Sequence, residues 1–133
     1  MTFLKKWFHP GPTSRDGLTQ TQRETIVDLL NYLSFVDRDI SDSEEIVIDD
    51  VEHQLDWDPN SDFDYYVDKS IAVARKAIES KDEGFFLQQI QTKLDSKLSR
   101  TIAVSLCEKL IKADGRVTPE ENATLLSIKR ALS

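Results

Sequence analysis

Apolar residues recur along this chain at intervals of three and four, the spacing that stacks side chains along one face of an α-helix. Ile26, Leu29, Leu30, Leu33 and Val36 form the first run, and Val47, Ile48, Val51 and Leu55 the second. Past Asp58-Pro59-Asn60, a third run follows through Phe63, Val67, Ile71, Ala74 and Ile78, and a shorter fourth through Phe86, Ile90 and Leu94. Leu98, Ile102, Leu106, Leu110 and Ile111 make a fifth. Hydroxyl residues three before an acid, the grammar of a capping box, precede the first two runs at Thr21-x-x-Glu24 and Ser41-x-x-Glu44. The sixth helix has the strongest start: Thr118 as N-cap, Pro119 at the first helical position and Glu121 three residues after the cap. No stretch alternates with a period of two. The pattern therefore predicts an all-α fold, a compact bundle of about six helices.

Sliding the chain against itself by 77 residues aligns 23–55 with 100–132 without a gap. Seven positions are identical: Arg23/Arg100, Val27/Val104, Leu29/Leu106, Leu33/Leu110, Asp37/Asp114, Glu44/Glu121 and Leu55/Leu132. Similarity between any two amphipathic helices supplies the leucines. It does not readily supply an Asp and a Glu seven apart, flanking a β-branched residue and a hydroxyl cap, in both copies. The bundle is therefore expected to contain two duplicated helix hairpins.

The spacing of those acids suggests a use. Asp37 lies four residues after Leu33, and Asp114 four after Leu110, so each continues the apolar stripe past the end of its helix. Glu44 precedes Ile48, Val51 and Leu55 on the inward side of the next helix, and Glu121 stands likewise to Leu125, Ile128 and Leu132. A tight hairpin brings such carboxylates together, which is unfavourable unless a positive charge sits between them. Asp37, Glu44, Asp114 and Glu121 are thus candidate ligands for a hard divalent cation, Ca²⁺, Mg²⁺ or Mn²⁺. The competing reading is structural: Glu at the third helical position caps backbone amides, and Asp before a glycine closes a turn. An EF-hand is excluded, because the twelve-residue loop needs Gly at its sixth position and Glu at its last. Counted from Asp37 these are Asp42 and Ile48, and from Asp114 they are Pro119 and Leu125.

Charge sharpens the expectation about partners. The net charge is −7, yet residues 37–64 hold twelve carboxylates against Arg38 alone, so the remainder of the chain is net positive. Such a face repels a phosphate backbone and attracts cations or a basic protein. Nucleic acid is not an expected partner.

The segment LIKADGRVTPEENATLLSIKRAL, residues 110–132, resembles the tellurite-resistance TerB family and the wider TerB-like domains. Their mark is a helix ending in Ala-Asp-Gly, then a β-branched residue, a Ser or Thr cap, and a Glu in the next helix. Ala113, Asp114, Gly115, Val117, Thr118 and Glu121 match it, and FVDRDISDSEEIVIDDV looks like a degenerate second instance that keeps Asp37, Ile40, Ser41 and Glu44. Arg38 stands there in place of the glycine. The resemblance implies a single TerB-like helical domain over 1–133, non-enzymatic, linked to metal-ion and tellurite stress.

The rest of the chain adds boundaries. Cys107 is the only cysteine and lies on an apolar face, so it reads as a buried thiol, and with no leader recognisable the chain reads as cytoplasmic. No apolar run approaches the ~20 residues that cross a bilayer. MTFLKKWF, before His9-Pro10-Gly11-Pro12, puts aromatics around two lysines. It reads either as a membrane-interface contact through residues 1–8 or, more simply, as a peripheral segment over 1–12 that folds back on the domain. Trp57, Tyr65 and Tyr66, set near Pro59 among Asp62, Asp64 and Asp68, read either as a grip for a basic peptide or, more simply, as core anchors. No phosphate loop, nucleophile arrangement or nucleotide fingerprint occurs, and residues 56–95 carry no recognised motif.

Overall fold

The computed structural model describes residues 16–37, 41–113 and 115–133. Among them are six α-helices and no strand: α1 Gln20–Phe35, α2 Asp42–Gln54, α3 Phe63–Ser80, α4 Glu83–Lys93, α5 Lys97–Lys112 and α6 Pro119–Ala131. The aromatic octamer at the N-terminus lies outside the described residues.

The duplication is carried by the backbone itself. Shifted by 77, the bounds of α1 fall on those of α5, and the bounds of α2 on those of α6. The caps follow. Thr19 and Ser96 both begin capping boxes, as do Ser41 and Thr118. At the far ends the Leu55 amide donates to the Val51 carbonyl at 2.8 Å, and the Leu132 amide to Ile128 at 3.0 Å. The repeat therefore starts four residues earlier than identity alone shows.

Helix α1 begins earlier than expected as well. The hydroxyl of Thr19, not Thr21, accepts the Gln22 amide at 3.0 Å, and the Gln22 side chain accepts the Thr19 amide at 2.9 Å. Thr21 lies inside the helix, where its carbonyl accepts the Thr25 hydroxyl at 2.7 Å. Two overlapping boxes obey the same spacing rule, and the one whose preceding turn is held by tertiary contacts is used. Asp16 accepts the Leu18 amide, the Asp56 amide and both Nε and Nη2 of Arg23, so the entry to α1 is fixed against the end of α2.

Helix α1 is the axis of the bundle and touches every other helix. Ile26, Val27, Leu29, Leu30 and Leu33 are buried on it, which leaves no solvated face over most of its length. Its partners supply Val51, Ala74, Leu94, Ala103, Leu110 and Ile128, each fully enclosed. Burial of this apolar surface drives the packing, at roughly 1.5–3 kcal/mol for a large side chain. Helices α3 and α4, the part without a motif, fill the space between the two copies in sequence and lie against α1. Tyr32 of α1 stacks on Phe86 of α4 at 4.2 Å between ring centroids. Trp57 and Phe63 meet edge to face at 4.9 Å, and Tyr66 donates its hydroxyl to Asp28 at 2.9 Å. Trp57 and Tyr66 are thus anchors, whereas Tyr65 faces solvent. Cys107 is buried, and burial pushes its thiol well above the usual range.

Two glycines take backbone that other residues resist, Gly17 and Gly115, both with φ of 77°. A Cβ at Gly17 would lie 2.7 Å from Cδ2 of Leu98, while at Gly115 it would meet nothing within 4 Å. Gly17→Ala is expected to lose about 2 kcal/mol or more, from strain and overlap together, and Gly115→Ala only about 1 kcal/mol. Urea unfolding of the two variants checks the order. Equal losses would mean that the Leu98 side chain simply moves aside.

Candidate functional site

The four candidate acids are positioned by hairpin ends. In the first copy Ser41 caps α2: its hydroxyl accepts the Glu44 amide at 3.1 Å, and Glu44 Oε1 accepts the Ser41 amide at 2.9 Å. In the second copy Thr118 and Glu121 repeat this, at 3.1 Å in each direction. The capping role foreseen for both glutamates is therefore present. It also pins one oxygen of each carboxyl over its own N-cap.

Packing of the neighbouring helices encloses both side chains. Glu44 and Glu121 are only 2% and 3% exposed, unusual for glutamates. Glu121 lies close enough to Glu44 to act on its carboxyl, so the two copies approach each other through the same residue of their repeat. Burial, and then the neighbouring Glu121, push the Glu44 carboxyl up to about 7. Only the capping contacts with Ser41 work in the other direction. Ionising Glu44 beside another buried acid is costly, and a cation placed between them would offset that cost.

Asp37 is half-buried just beyond the last turn of α1 and has an interaction partner. Asp114 lies outside the described residues. The described residues thus bring Glu44 and Glu121 together across the copies. Among the described residues no three His, Cys, Asp or Glu side chains gather into a group that could hold a metal ion alone. Around the pair, α2 carries Asp42, Glu45, Asp49, Asp50 and Glu52 on its solvent face, so the acidic stretch lies exposed beside the buried acids.

Sequence reasoning did not find the cross-copy contact. The signal was present: equivalent positions of a duplicated hairpin approach each other where the copies pack, and Glu44 and Glu121 are the inward polar residues of the repeat. It also missed a buried polar cluster in which Asn31 Nδ2 donates to Ser70 Oγ at 3.0 Å and the Tyr66 hydroxyl donates to Asp28 at 2.9 Å. Burial raises the Asp28 carboxyl above its usual range. These contacts tie α1 to α3.

No described helix is long and apolar enough to cross a membrane. Comparisons with known protein families, curated proteins and solved structures return no match to this chain.

Proposed function

We propose that this chain is a TerB-like, non-enzymatic binding module of the cytoplasm that responds to a divalent cation, Ca²⁺, Mg²⁺ or Mn²⁺, bound where the two copies meet. Glu44 and Glu121 would hold the ion, with Asp37 and Asp114, each seven residues earlier, as the loop carboxylates. The observation that carries the reading is the contact between two buried glutamates, one from each copy. An oxygen-loving cation would take the place of the proton on Glu44 and remove the repulsion that ionisation brings. The resemblance to TerB suggests the setting, metal-ion and tellurite stress. A second reading is favoured by the exposed acids of α2: a protein-interaction module without metal, recruiting a basic partner.

Melting with and without each ion separates the two. Millimolar Ca²⁺, Mg²⁺ or Mn²⁺ is expected to raise the midpoint of the wild type by about 5 °C. Glu44→Gln and Glu121→Gln keep the capping geometry and lose that gain, because glutamine also serves the box. Asp37→Asn and Asp114→Asn reduce it. If no ion raises the wild-type midpoint, the metal reading is abandoned and the acidic interaction module takes its place.

A further inference from the structure

A second feature lies on the outside of the molecule, between α2 and α5. The two helices leave a groove of about 520 Å³, enough for several side chains of a partner. Its floor is apolar, with Val47 and Ala113, and Ile46 stands at its edge with 60% of its surface exposed. Its walls have opposite signs. Asp50 faces it from α2, on the helix that also exposes Asp42, Glu45 and Asp49, while Lys109 and Lys112 face it from α5. Among the described residues the side chains of Asp50, Lys109 and Lys112 make no ion pair and no hydrogen bond. The groove holds its acids and bases apart, so each wall presents unsatisfied charge beside an exposed isoleucine.

We propose that this groove is a self-association surface whose occupant is a second copy of the chain. The charge layout selects the occupant. A purely basic segment would suit α2 but be repelled by Lys109 and Lys112, and an acidic one would meet the reverse. A two-fold axis running along the groove, however, lays α2 of one copy against α5 of the other. Each acidic wall then faces a basic one twice over, as an isologous interface requires. Ile46 of each copy enters the other's apolar floor, giving the contact a desolvated centre with a charged rim. The net charge of −7 on each copy opposes association, so the pairing depends on this local match and is weak and reversible. The inference does not depend on cation binding.

Sedimentation of the full chain over roughly 10–500 µM tests it, that range covering a weak small interface. The wild type is expected to shift reversibly from monomer to dimer as concentration rises. Ile46→Asp, at an exposed position that folding does not need, is expected to stay monomeric with its melting unchanged. Asp50→Lys alone, and Lys109→Glu with Lys112→Glu, each put like charges opposite one another in the homodimer and are expected to stay monomeric too. Mixing these two charge-reversed proteins places a base opposite an acid at both contacts, and dimer is expected to return. A wild type that remains monomeric throughout overturns the proposal. So does a dimer that survives Ile46→Asp, or a mixture that does not associate.

Discussion

Arg23→Met is expected to cost 3–5 kcal/mol, roughly, the loss typical of breaking a buried ion pair by removing one partner. The guanidinium is 1% exposed and is satisfied throughout by Asp16, the Leu18 carbonyl and Gln20. Gln20 Oε1 in turn accepts the Asp58 amide, and Asp16 the Asp56 amide, so one side chain holds the start of α1 to the chain following α2. Methionine fills much of the volume but leaves Asp16 without its counter-charge and the Leu18 carbonyl without a donor. Adding Asp16→Asn should restore part of the stability, since the stranded charge is then gone. The repeat provides an internal control. Arg100, the equivalent residue, is half-buried and donates to the Leu94 and Gln91 carbonyls with no carboxylate in its bonds. Arg100→Met is expected to cost about 1–2 kcal/mol. Urea unfolding measures both, and a loss below about 1 kcal/mol at Arg23 would mean that water takes over its contacts.

The second large effect concerns pH in the metal-free protein. Glu44 titrates at about 7 when folded, against an ordinary value near 4.5 when the chain is unfolded. The folded state thus prefers the protonated acid. Its contribution is fully present below pH ~4.5 and is lost as pH rises through about 7, because the unfolded chain gives up the proton more readily. The loss across this window is at most about 3 kcal/mol. Glu44→Gln removes the titrating group while retaining the cap, so its stability should be flatter over the same window and exceed that of the wild type at pH 8. Denaturation in chelator at pH 5, 6, 7 and 8 reads the effect. A wild type as stable at pH 8 as at pH 5 would show that the pair relaxes apart when it ionises.

The fold was legible because helices announce themselves locally. Ser41, Thr118 and Pro119 marked helix starts, and the period of the leucines set which faces are buried. Thr19 was passed over for Thr21 because both fit the same spacing, and the choice rests on how Asp16 and Arg23 pack. The candidate site was half legible. Spacing identified Glu44 and Glu121 as inward, but what each meets is a matter of how one hairpin packs on another, which no within-helix period encodes. Asp28 and Asn31 were hidden for a related reason: their partners Ser70 and Tyr66 lie in α3, some forty residues away, in a stretch without any repeat to align.

Calorimetric titration of the chelator-treated protein with Ca²⁺, Mg²⁺ and Mn²⁺ at pH 7.5 bears most directly on the meeting of the two copies. Because Glu44 and Glu121 share one place, about one ion per chain is expected to bind, not one per hairpin. Binding should release a fraction of a proton at pH 7.5 and more as pH falls toward 6, where Glu44 is mostly protonated, and should therefore weaken over that range. The double variant Glu44→Gln with Glu121→Gln should remain folded and bind none. Absence of binding by the wild type for all three ions, or unchanged binding by the double variant, would contradict a cation site between the copies.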